Sequence, residues 1–499
     1  MAGANRSKLV RITVRNIGCI GNDGVEIALD DVVCLVGKNN AGKSTILRAY
    51  ELAKGGTAAF SESRDRCLYA LAEHPSEVQL EVHIPEGIGN VDAKWKTEKD
   101  GLLIVKSRWQ WAVPNFEKVR TTWDPTGGPD GEGGWAEDGK AGGADPVFSS
   151  RLPRPLRIGS LDDAAKTEEM LLTLALGPLV ASLEKERINP QSDLSKAIAS
   201  PDDPAFPGYL LLIDEPENAL HPMAARAAQR HLYKLAQSPD WQVIMTTHSP
   251  HFVNPFEDHT TIVRLERSGE EDASPLAPKT YRSDLIEFEG EDKQRLQALQ
   301  HIDPSFSEVF FGSYPILVEG DTEHAAFMSS IIERQHGLMD RVTVIRARGK
   351  AILVPLVKVM THFKIDFGIV HDADSPFNKK GHKNGMWTEN GKIREAVLKA
   401  RAKGLSARHR ISVPDFERFL GGEEESKDKP LNTYLVVAKD DALAQRVQEL
   451  MTDLLESPQH EPFADGALEE GDYLAWLGGL VQAWAKSNGL ADDIRFKGP

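Results

Sequence analysis

Four carboxylates in the second half of this 499-residue chain have the spacing of a metal site. Glu319 directly follows the apolar segment 315–318, and Glu323 lies four residues later, at the start of a predicted helix. Asp372 and Asp374 end a second apolar segment, and alternate residues of an extended chain face the same side. Open α/β sheets place their chemistry at such strand ends, and oxygen ligands suit Mg²⁺ or Mn²⁺. The spacing therefore predicts a divalent-metal site, although acidic loops at strand ends also occur without a metal.

A block of positive charge surrounds the second acidic pair. Between Arg341 and Arg410 the chain carries 16 Lys and Arg residues against 5 Asp and Glu residues, whereas the whole chain has a net charge of −16. Such a block in an acidic protein is typical of a local polyanion site. We favour a polyanionic ligand over a solvated basic face, because the block also contains Asp372 and Asp374. The candidate DNA contacts in the block are Lys350, Lys379, Lys380 and Lys383.

A glycine-rich loop in the first half of the chain has the pattern of a phosphate-binding site. The apolar segment 32–36 precedes G-K-N-N-A-G-K-S-T at residues 37–45, and a predicted helix follows. The glycines let backbone N–H groups face phosphates, and the helix N-terminus adds the positive end of its dipole. We expect Lys43 to neutralise the β- and γ-phosphates of ATP and Ser44 to hold Mg²⁺. The other predicted ATP contacts in the loop are Gly37, Asn39, Asn40, Gly42 and Thr45.

A second apolar strand, 209–213, ends in Asp214 and Glu215, and the next predicted strand, 241–246, is followed closely by His248. After a phosphate-binding loop, this order of residues has a direct chemical interpretation. Asp214 would position Mg²⁺ and bind the nucleotide, Glu215 would orient or deprotonate the attacking water, and His248 would sense the γ-phosphate. A lone histidine after a strand is more often structural, but this one lies a single strand beyond the acidic pair.

The composition is typical of a multidomain globular protein from a reducing compartment. Hydrophobic residues make up 40% of the chain, and no apolar run approaches the roughly 20 residues of a membrane span. The polar first residues have no signal-peptide core. The three cysteines form no CxxC pair and no metal-ligand spacing. We therefore expect a cytoplasmic protein without membrane contact.

Several of these motifs together carry a family resemblance. Three segments resemble the ATPases of the ABC, SMC and RecF group, namely residues 37–45, 210–222 and 246–250. The stretch around Glu319, with Asp372 and Asp374, resembles a TOPRIM domain. An ABC-type ATPase followed directly by TOPRIM is similar to the OLD (overcoming lysogenization defect) family of ATP-dependent nucleases, which includes phage-defence effectors of the Gabija and retron-associated types. The resemblance implies an α/β fold in which a P-loop ATPase domain precedes a Rossmann-like TOPRIM domain with a mainly parallel sheet.

The same resemblance implies a function and partners. The chain would be an ATP-regulated, divalent-metal-dependent DNA endonuclease in phage defence, and it would form a homodimer through its ATPase domain, or a higher oligomer. A helicase, or a retron reverse transcriptase with its RNA, is the kind of partner that the resemblance suggests. Ser160 falls where such ATPases carry a signature serine that caps ATP bound by the other subunit. Asp162 and Asp163 beside it would repel a γ-phosphate, so we expect slow turnover with ATP acting as a gate.

The resemblance also suggests two further site positions in the TOPRIM domain. In such nucleases an additional acid after the DxD strand helps to hold a second metal, and either Glu417 or Asp415 fits that place. An acidic helix start would have the same composition for reasons of helix stability alone. A lysine near the end of the domain often contacts the scissile phosphate, and the candidates are Lys427, Lys429 and Lys439.

These interpretations predict four parts in the chain. Residues 1–275 would form the ATPase domain, with a flexible loop near 124–145 and a helical segment near 160–200. A linker at 276–312, a TOPRIM domain at 313–445 and an acidic helical extension at 446–499 would follow.

The main alternative is an ATP-gated DNA-binding or scaffold protein with a vestigial TOPRIM site, which recruits or controls a partner effector. Metal-dependent cleavage by the isolated chain would discriminate between the two functions. A topoisomerase or primase is disfavoured, because those enzymes need further domains and these cysteines cannot form a zinc ribbon.

Overall fold

The computed structural model divides the chain into two compact units, Met1–Leu285 and Ile286–Pro499. The structure describes residues 5–56, 58–89, 91–136, 143–159, 205–220, 222–269, 274–334, 336–422, 428–462 and 473–497. Ser160 and the predicted helical segment near 160–200 therefore lie outside the described residues. None of the helices in the described ranges is both long enough and apolar enough to cross a membrane.

The first unit contains two sheets and a small number of helices among its described residues. Its strands are β1 (Lys8–Arg15), β2 (Val25–Ala28), β3 (Val32–Val36), β4 (Ser76–His83), β5 (Lys96–Lys99), β6 (Leu102–Trp111), β7 (Lys118–Asp124), β8 (Gly134–Trp135), β9 (Arg154–Ile158), β10 (Tyr209–Asp214), β11 (Trp241–Thr246), β12 (Thr260–Arg267) and β13 (Leu276–Arg282). Its helices are α1 (Lys43–Lys54), α2 (Glu62–Asp65), α3 (Asp145–Ser150) and α4 (Pro222–Ala236).

One sheet of the first unit is antiparallel, and the other carries the phosphate-binding loop. The antiparallel sheet has the order β2-β1-β4-β6-β7-β8, with β5 paired to β6. The second sheet has the order β13-β12-β3-β11-β10-β9, and its strands from β12 to β9 run parallel. Strands β3, β10 and β11 are buried along their whole length, which explains their continuous apolar runs. Because they are parallel neighbours, their carboxyl ends meet at one edge.

The first unit extends beyond the predicted boundary at residue 275. Strand β13 pairs antiparallel with β12 through seven residue pairs, so it completes the sheet of the phosphate-binding loop. Residues 276–282 are thus an edge strand rather than part of a linker. Part of the loop predicted near 124–145 is ordered as β8, where Trp135 packs edge-on against Trp123 with ring centroids 5.4 Å apart.

The second unit is built around a four-stranded parallel sheet. Its strands are β14 (Tyr314–Val318), β15 (Val342–Arg346), β16 (Phe367–Asp372) and β17 (Ala407–Ser412), in the order β15-β14-β16-β17. Its helices are α5 (Asp292–Ile302), α6 (Asp321–Ile332), α7 (Lys350–Phe363), α8 (Gly385–Ala402), α9 (Phe416–Phe419), α10 (Lys429–Lys439), α11 (Asp441–Glu456) and α12 (Tyr473–Ser487). The predicted fold class, with a P-loop unit followed by a mainly parallel α/β unit, is confirmed.

The C-terminal residues belong to the core of this second unit. Helix α11 spans the predicted boundary at 445 and buries Val447, Met451 and Leu454 in the same cluster as Ile316 of β14. The chain after α11 then lies along the edge strand β17, where the His409 N–H donates to the carbonyl of His460 at 2.9 Å. The structure therefore differs from the predicted separate extension, because the sheet needs α11 to cover one of its faces.

Candidate nucleotide site and candidate metal centre

The loop at residues 37–45 folds around the ammonium group of Lys43. Its Nζ donates to the carbonyl oxygens of Gly37 and Lys38, each at 3.0 Å. Gly37 and Gly42 have φ angles of +135° and +85°. A Cβ on Gly37 would lie 2.5 Å from the carbonyl oxygen of Leu265, so only glycine fits there. Burial lowers the pKa of Lys43, although the charge of Glu215 opposes that shift.

Asp214 is held at both of its carboxylate oxygens. Oδ1 accepts hydrogen bonds from Ser44 Oγ at 2.8 Å and from Thr246 Oγ1 at 2.6 Å. Oδ2 accepts from Arg157 Nη2 at 2.7 Å. Ser44 and Asp214, predicted to share a Mg²⁺ ion, are therefore brought into direct contact. Sequence reasoning missed Arg157, whose only signal was a basic side chain on a strand before the Asp-Glu pair.

The predicted water-activating residue lies beside the predicted γ-phosphate sensor. His248 Nε2 is 3.5 Å from Glu215 Oε1, and Asn218 Nδ2 donates to Glu215 Oε2 at 2.9 Å. Glu217, which the sequence analysis did not single out, accepts from the His248 backbone N–H at 2.5 Å and from Thr247 Oγ1 at 2.9 Å. Glu217 thus fixes the loop that carries His248.

Most of the phosphate-binding loop, together with Glu215 and His248, lines one cavity of about 600 Å³, which is a typical size for a small-molecule site, and Asp214 is not part of its wall. Nearly all of the predicted loop contacts and both Glu215 and His248 belong to its wall; the lining residues are Cys19, Asn39, Asn40, Ala41, Gly42, Lys43, Ser44, Thr45, Glu215, Asn218 and His248. The Sγ of Cys19 lies 3.8 Å from Thr45 Oγ1, and the sequence did not predict Cys19 in the wall of this cavity.

The second unit brings its predicted metal ligands to one edge of the parallel sheet. Strands β14 and β16 are hydrogen-bonded neighbours, with Val318 opposite Val370, so Glu319 and Asp372 end side by side. The Asp372 backbone N–H donates to Glu319 Oε2 at 3.2 Å. Glu323 Oε2 accepts from the Gly320 N–H at 3.1 Å as part of the capping box of α6. In both glutamates a backbone donor thus fixes one carboxylate oxygen.

The electrostatics of these acids suit a divalent cation. Burial raises the pKa of Glu319, raises that of Glu323 to about 7 and raises that of Asp372 well above its ordinary value. The neighbouring carboxylates add to each shift, because like charges disfavour ionisation. Asp372 Oδ1 is buried and has no hydrogen-bond partner. Carboxylate oxygens that repel one another, one of them without a hydrogen-bond partner, have the chemistry of ligands for a hard divalent cation.

Asp374 and Lys350 form an ion pair within this cluster. Asp374 has a φ of +62°, and its N–H donates to the carbonyl of Pro414 at 2.8 Å. Lys350 Nζ contacts Asp374 Oδ2 and donates to the Asp372 carbonyl at 2.6 Å. Only 1% of Lys350 is exposed. The prediction that Lys350 contacts DNA is therefore wrong in this structure, because a buried ammonium paired to Asp374 cannot reach a phosphate backbone.

The two candidates for a further metal ligand differ in their environments. Asp415 caps α9, and its carboxylate accepts from the Arg418 N–H at 3.0 Å and pairs with the Arg418 guanidinium through its other oxygen. Glu417 Oε1 lies 3.0 Å from Lys429 Nζ. The charge of Glu417 also contributes to the raised pKa of Glu319 and Glu323, after burial. The charge of Asp415 likewise contributes to the raised pKa of Asp372, so both acids lie near the cluster. Arg418 engages both oxygens of Asp415, whereas Lys429 pairs with one oxygen of Glu417, and on this ground we favour Glu417 as the ligand candidate.

The candidate lysines also differ in their positions along the chain. Lys429 begins α10 and contacts Glu417. Lys439 ends that helix ten residues later, about 15 Å along the axis, where it borders a surface depression with Leu435 and Asp440. Lys439 is exposed at the opposite end of α10 from Lys429, so its contact with DNA stays a prediction, and Lys427 lies outside the described residues.

The remaining predicted DNA contacts lie on an exposed loop that begins shortly after Asp374. Phe377 and Lys383 form an isolated bridge that closes this loop, and its three lysines are exposed: Lys379, Lys380 and Lys383. We call residues 377–383 the basic loop.

Two arginines that sequence reasoning passed over lie at the same sheet edge. Arg346 ends β15, and Arg348 follows it with a φ of +57°. Both guanidinium groups contact Asp303 Oδ2, at 2.7 Å and 3.1 Å. Burial would raise the pKa of Asp303, but hydrogen bonds from Ser305 and Arg348 lower it to about 2. In the sequence, Arg346 and Arg348 are visible only as two basic residues at the end of a predicted strand.

Two protein-family models match part of each unit. A family model described as "AAA ATPase domain" matches residues 8–93 and 204–253. A second model, "Overcoming lysogenization defect protein-like, TOPRIM domain", matches residues 310–374. The first match contains the phosphate-binding loop, Asp214 and His248, and the second contains Glu319 and Asp374.

Two curated proteins are similar over part of this chain. An OLD nuclease of Thermus scotoductus (strain ATCC 700910 / SA-01) is 28% identical over 234 residues, which are 44% of this chain and 42% of that protein. The Old nuclease of Escherichia phage P2 is 24% identical over 279 residues, which are 55% of this chain and 44% of that protein. The chain thus matches less than half the length of either relative.

Among solved structures, the SMC head domain from Thermotoga maritima covers 54% of this chain at 16% identity, with 98% of that domain covered and a TM-score of 0.29. An Smc head domain derived from Pyrococcus furiosus, solved with an extended coiled coil and the C-terminal domain of ScpA, covers 55% at 12% identity, with 96% of that chain covered and a TM-score of 0.31. These scores are too low to define the fold, which rests on the sheet order and the two family matches. The chain is therefore similar to the OLD nucleases over part of its length, with a match to an AAA ATPase domain followed by a match to an OLD-like TOPRIM domain.

Proposed function

We propose that this chain is an ATP-regulated, divalent-metal-dependent DNA endonuclease of the cytoplasm that acts in defence against phage. The observation that carries the proposal is the acid cluster at the edge of the second sheet. Glu319 and Asp372 end neighbouring parallel strands, Glu323 begins the next helix, and Asp372 Oδ1 is buried without a partner.

The acid cluster would hold Mg²⁺ or Mn²⁺ through Glu319, Glu323 and Asp372, with Asp374 and Glu417 as the further oxygen donors. A bound divalent ion would supply Lewis-acid stabilisation and a water of lowered pKa. The chain's own contribution is orientation, because backbone N–H groups fix one oxygen of Glu319 and one of Glu323. Fixed ligands lower the reorganisation that metal binding requires.

The DNA backbone would lie across the basic loop and the Arg346–Arg348 pair. Three exposed lysines of the basic loop begin five residues after Asp374, and Arg348 follows the end of β15, two residues before Lys350. These groups match phosphate oxygens and carry no base-reading geometry, so binding should be independent of sequence and steeply dependent on salt.

The first unit would bind and hydrolyse ATP. Lys43 and the loop amides would hold the phosphates, and Ser44 with Asp214 would hold the nucleotide's Mg²⁺. Glu215 and His248 face the same cavity at a mutual distance of 3.5 Å, which supports their roles at the attacking water and the γ-phosphate. We propose that nucleotide occupancy regulates cleavage through a homodimer or higher oligomer, in which Ser160 would complete the partner's site. Association of the Gabija or retron type, with a helicase or a reverse transcriptase and its RNA, is part of this proposal.

Plasmid cleavage by the purified full-length chain tests the function. The assay compares Mg²⁺ and Mn²⁺, with and without ATP, for the wild type, Glu319→Ala and Lys43→Ala. Asp340→Ala, which removes an exposed carboxylate of the second unit, is the matched control. We expect cleavage to be lost in Glu319→Ala, kept in Asp340→Ala and changed in its ATP response in Lys43→Ala. Absence of cleavage by the wild type with either metal, on supercoiled, linear and single-stranded DNA, would instead favour the ATP-gated scaffold.

A further inference from the structure

Lys350 places the ammonium group of its side chain inside the acid cluster. It is the first residue of α7, and its side chain has 0% exposure. Its ammonium contacts Asp374 Oδ2 and the Asp372 carbonyl, and the same carbonyl lies 2.8 Å from His371 Nδ1. A buried ammonium is tolerated only where it is paired and hydrogen-bonded, and the same holds for the buried carboxylate beside it.

The position of this charge matters because the surrounding ligands are all acidic. Glu319, Glu323 and Asp372 are concentrated at one sheet edge with Asp374. Without a cation, the repulsion among these groups would favour opening of the strand ends. A lysine fixed at the N-terminus of a helix supplies that cation whether or not a metal is present, whereas a divalent ion would supply it only when bound.

We propose that Lys350 is an internal counter-cation, which keeps the acid cluster folded and its ligands in place when no metal is bound. The inference rests on the proposed function, since it assumes that the cluster binds a divalent ion. It follows that the stabilisation by Lys350 is large in the metal-free protein and small in the metal-bound protein. Linkage then requires that removal of the ammonium strengthens metal binding to the folded chain.

The test is the melting temperature of the full-length chain, stripped with EDTA and then measured with EDTA or with saturating Mn²⁺. In Lys350→Met the melting temperature should fall by on the order of 10 °C in EDTA, and Mn²⁺ should restore most of that loss. Mn²⁺ titration followed by electron paramagnetic resonance should give a several-fold lower Kd than in the wild type. Lys358→Met is the matched control, because Lys358 lies on the same helix in an ion pair with the exposed Glu289.

A merely structural role for Lys350 predicts a different result. An equal fall in melting temperature with and without Mn²⁺, or no fall at all, would overturn the inference while the Mn²⁺ response of the wild type stands. If the wild type neither binds Mn²⁺ nor gains stability from it, the metal site of the proposed function fails as well.

A second variant keeps the inference falsifiable if Lys350→Met does not fold under either condition. The double variant Lys350→Met/Asp374→Asn removes the carboxylate that the ammonium pairs with. It should fold in EDTA, because the unpaired buried charge is gone. Failure of the double variant to fold would show that Lys350 supports the chain for reasons other than charge.

Discussion

Glu323 offers a direct test of how much the ionised acid cluster destabilises the folded chain. Burial raises its pKa from 4.5 to about 7, and only 4% of the residue is exposed. Because the folded pKa lies above the unfolded one, the folded chain holds the proton more tightly. The resulting stabilisation is complete below pH 4.5 and is lost as the pH rises to about 7. A shift of this size corresponds to roughly 3 kcal/mol at pH 8.

Glu323→Gln removes this titration and keeps an oxygen for the Gly320 N–H. In EDTA at pH 8, the variant should be more stable than the wild type by roughly 3 kcal/mol, whereas at pH 5 the difference should be about 1 kcal/mol or less. In Mn²⁺ the advantage should disappear, because the glutamate then serves as a ligand.

Urea-dependent hydrogen exchange in peptides from α6 and α7 measures this stability for the second unit by itself. Glu395→Gln, which changes an exposed glutamate paired with Lys399 on α8, is the control and should be neutral within about 0.5 kcal/mol. The reasoning would be refuted if Glu323→Gln were no more stable than the wild type at pH 8 in EDTA. A gain of equal size at pH 5 would also contradict it, because that gain could not come from titration.

Three further predictions concern the residues around the two sites. Arg157→Leu should lower the ATP hydrolysis rate about tenfold, because Asp214 loses the partner of its Oδ2. The control Arg154→Leu, on the same strand, should change that rate less than twofold. Equal hydrolysis rates for Arg157→Leu and the wild type in a phosphate-release assay would contradict a role of Arg157 in positioning Asp214. Asp415→Asn should leave the Mn²⁺ affinity within about threefold of the wild type, whereas Glu417→Gln should weaken that affinity about tenfold. If calorimetric titration showed the larger loss of affinity in Asp415→Asn, Glu417 would be excluded as the ligand. The three lysines of the basic loop are Lys379, Lys380 and Lys383. Their replacement by alanine should reduce the slope of log K for DNA binding against log salt concentration by about 2 to 3, as measured by fluorescence anisotropy. An unchanged slope would show that the loop does not contact DNA.

Local sequence patterns were sufficient for the elements that carry the chemistry. The loop at 37–45 and the Asp-Glu pair after an apolar strand are contiguous motifs, so their backbone geometry follows from neighbouring residues alone. The fold class was predictable for the same reason, since parallel strands buried on both faces have continuous apolar runs. The similarity to OLD nucleases that these motifs indicated is found over part of the chain.

Charges that act through distant partners were not predictable in this way. Lys350 has the composition of a DNA-binding lysine, and nothing in its neighbours along the chain shows that its ammonium is buried against Asp374. Asp415 and Glu417 are two residues apart, yet only Asp415 has both oxygens engaged by Arg418. The partner of a charged side chain depends on burial, which is a property of the packed elements and not of the local sequence.

By itself, the sequence determined which residues could do chemistry and at which strand ends they lie. The tertiary structure decided which of them share a site, because the order of strands in the two parallel sheets brings distant segments together. Arg157 reaches Asp214 since β9 and β10 are neighbours, with Arg157 opposite Leu212. Glu319 meets Asp372, which lies 53 positions later in the sequence, since β14 and β16 pair with each other. These long-range pairings are set by the burial of apolar faces across the whole unit, so no short segment encodes them.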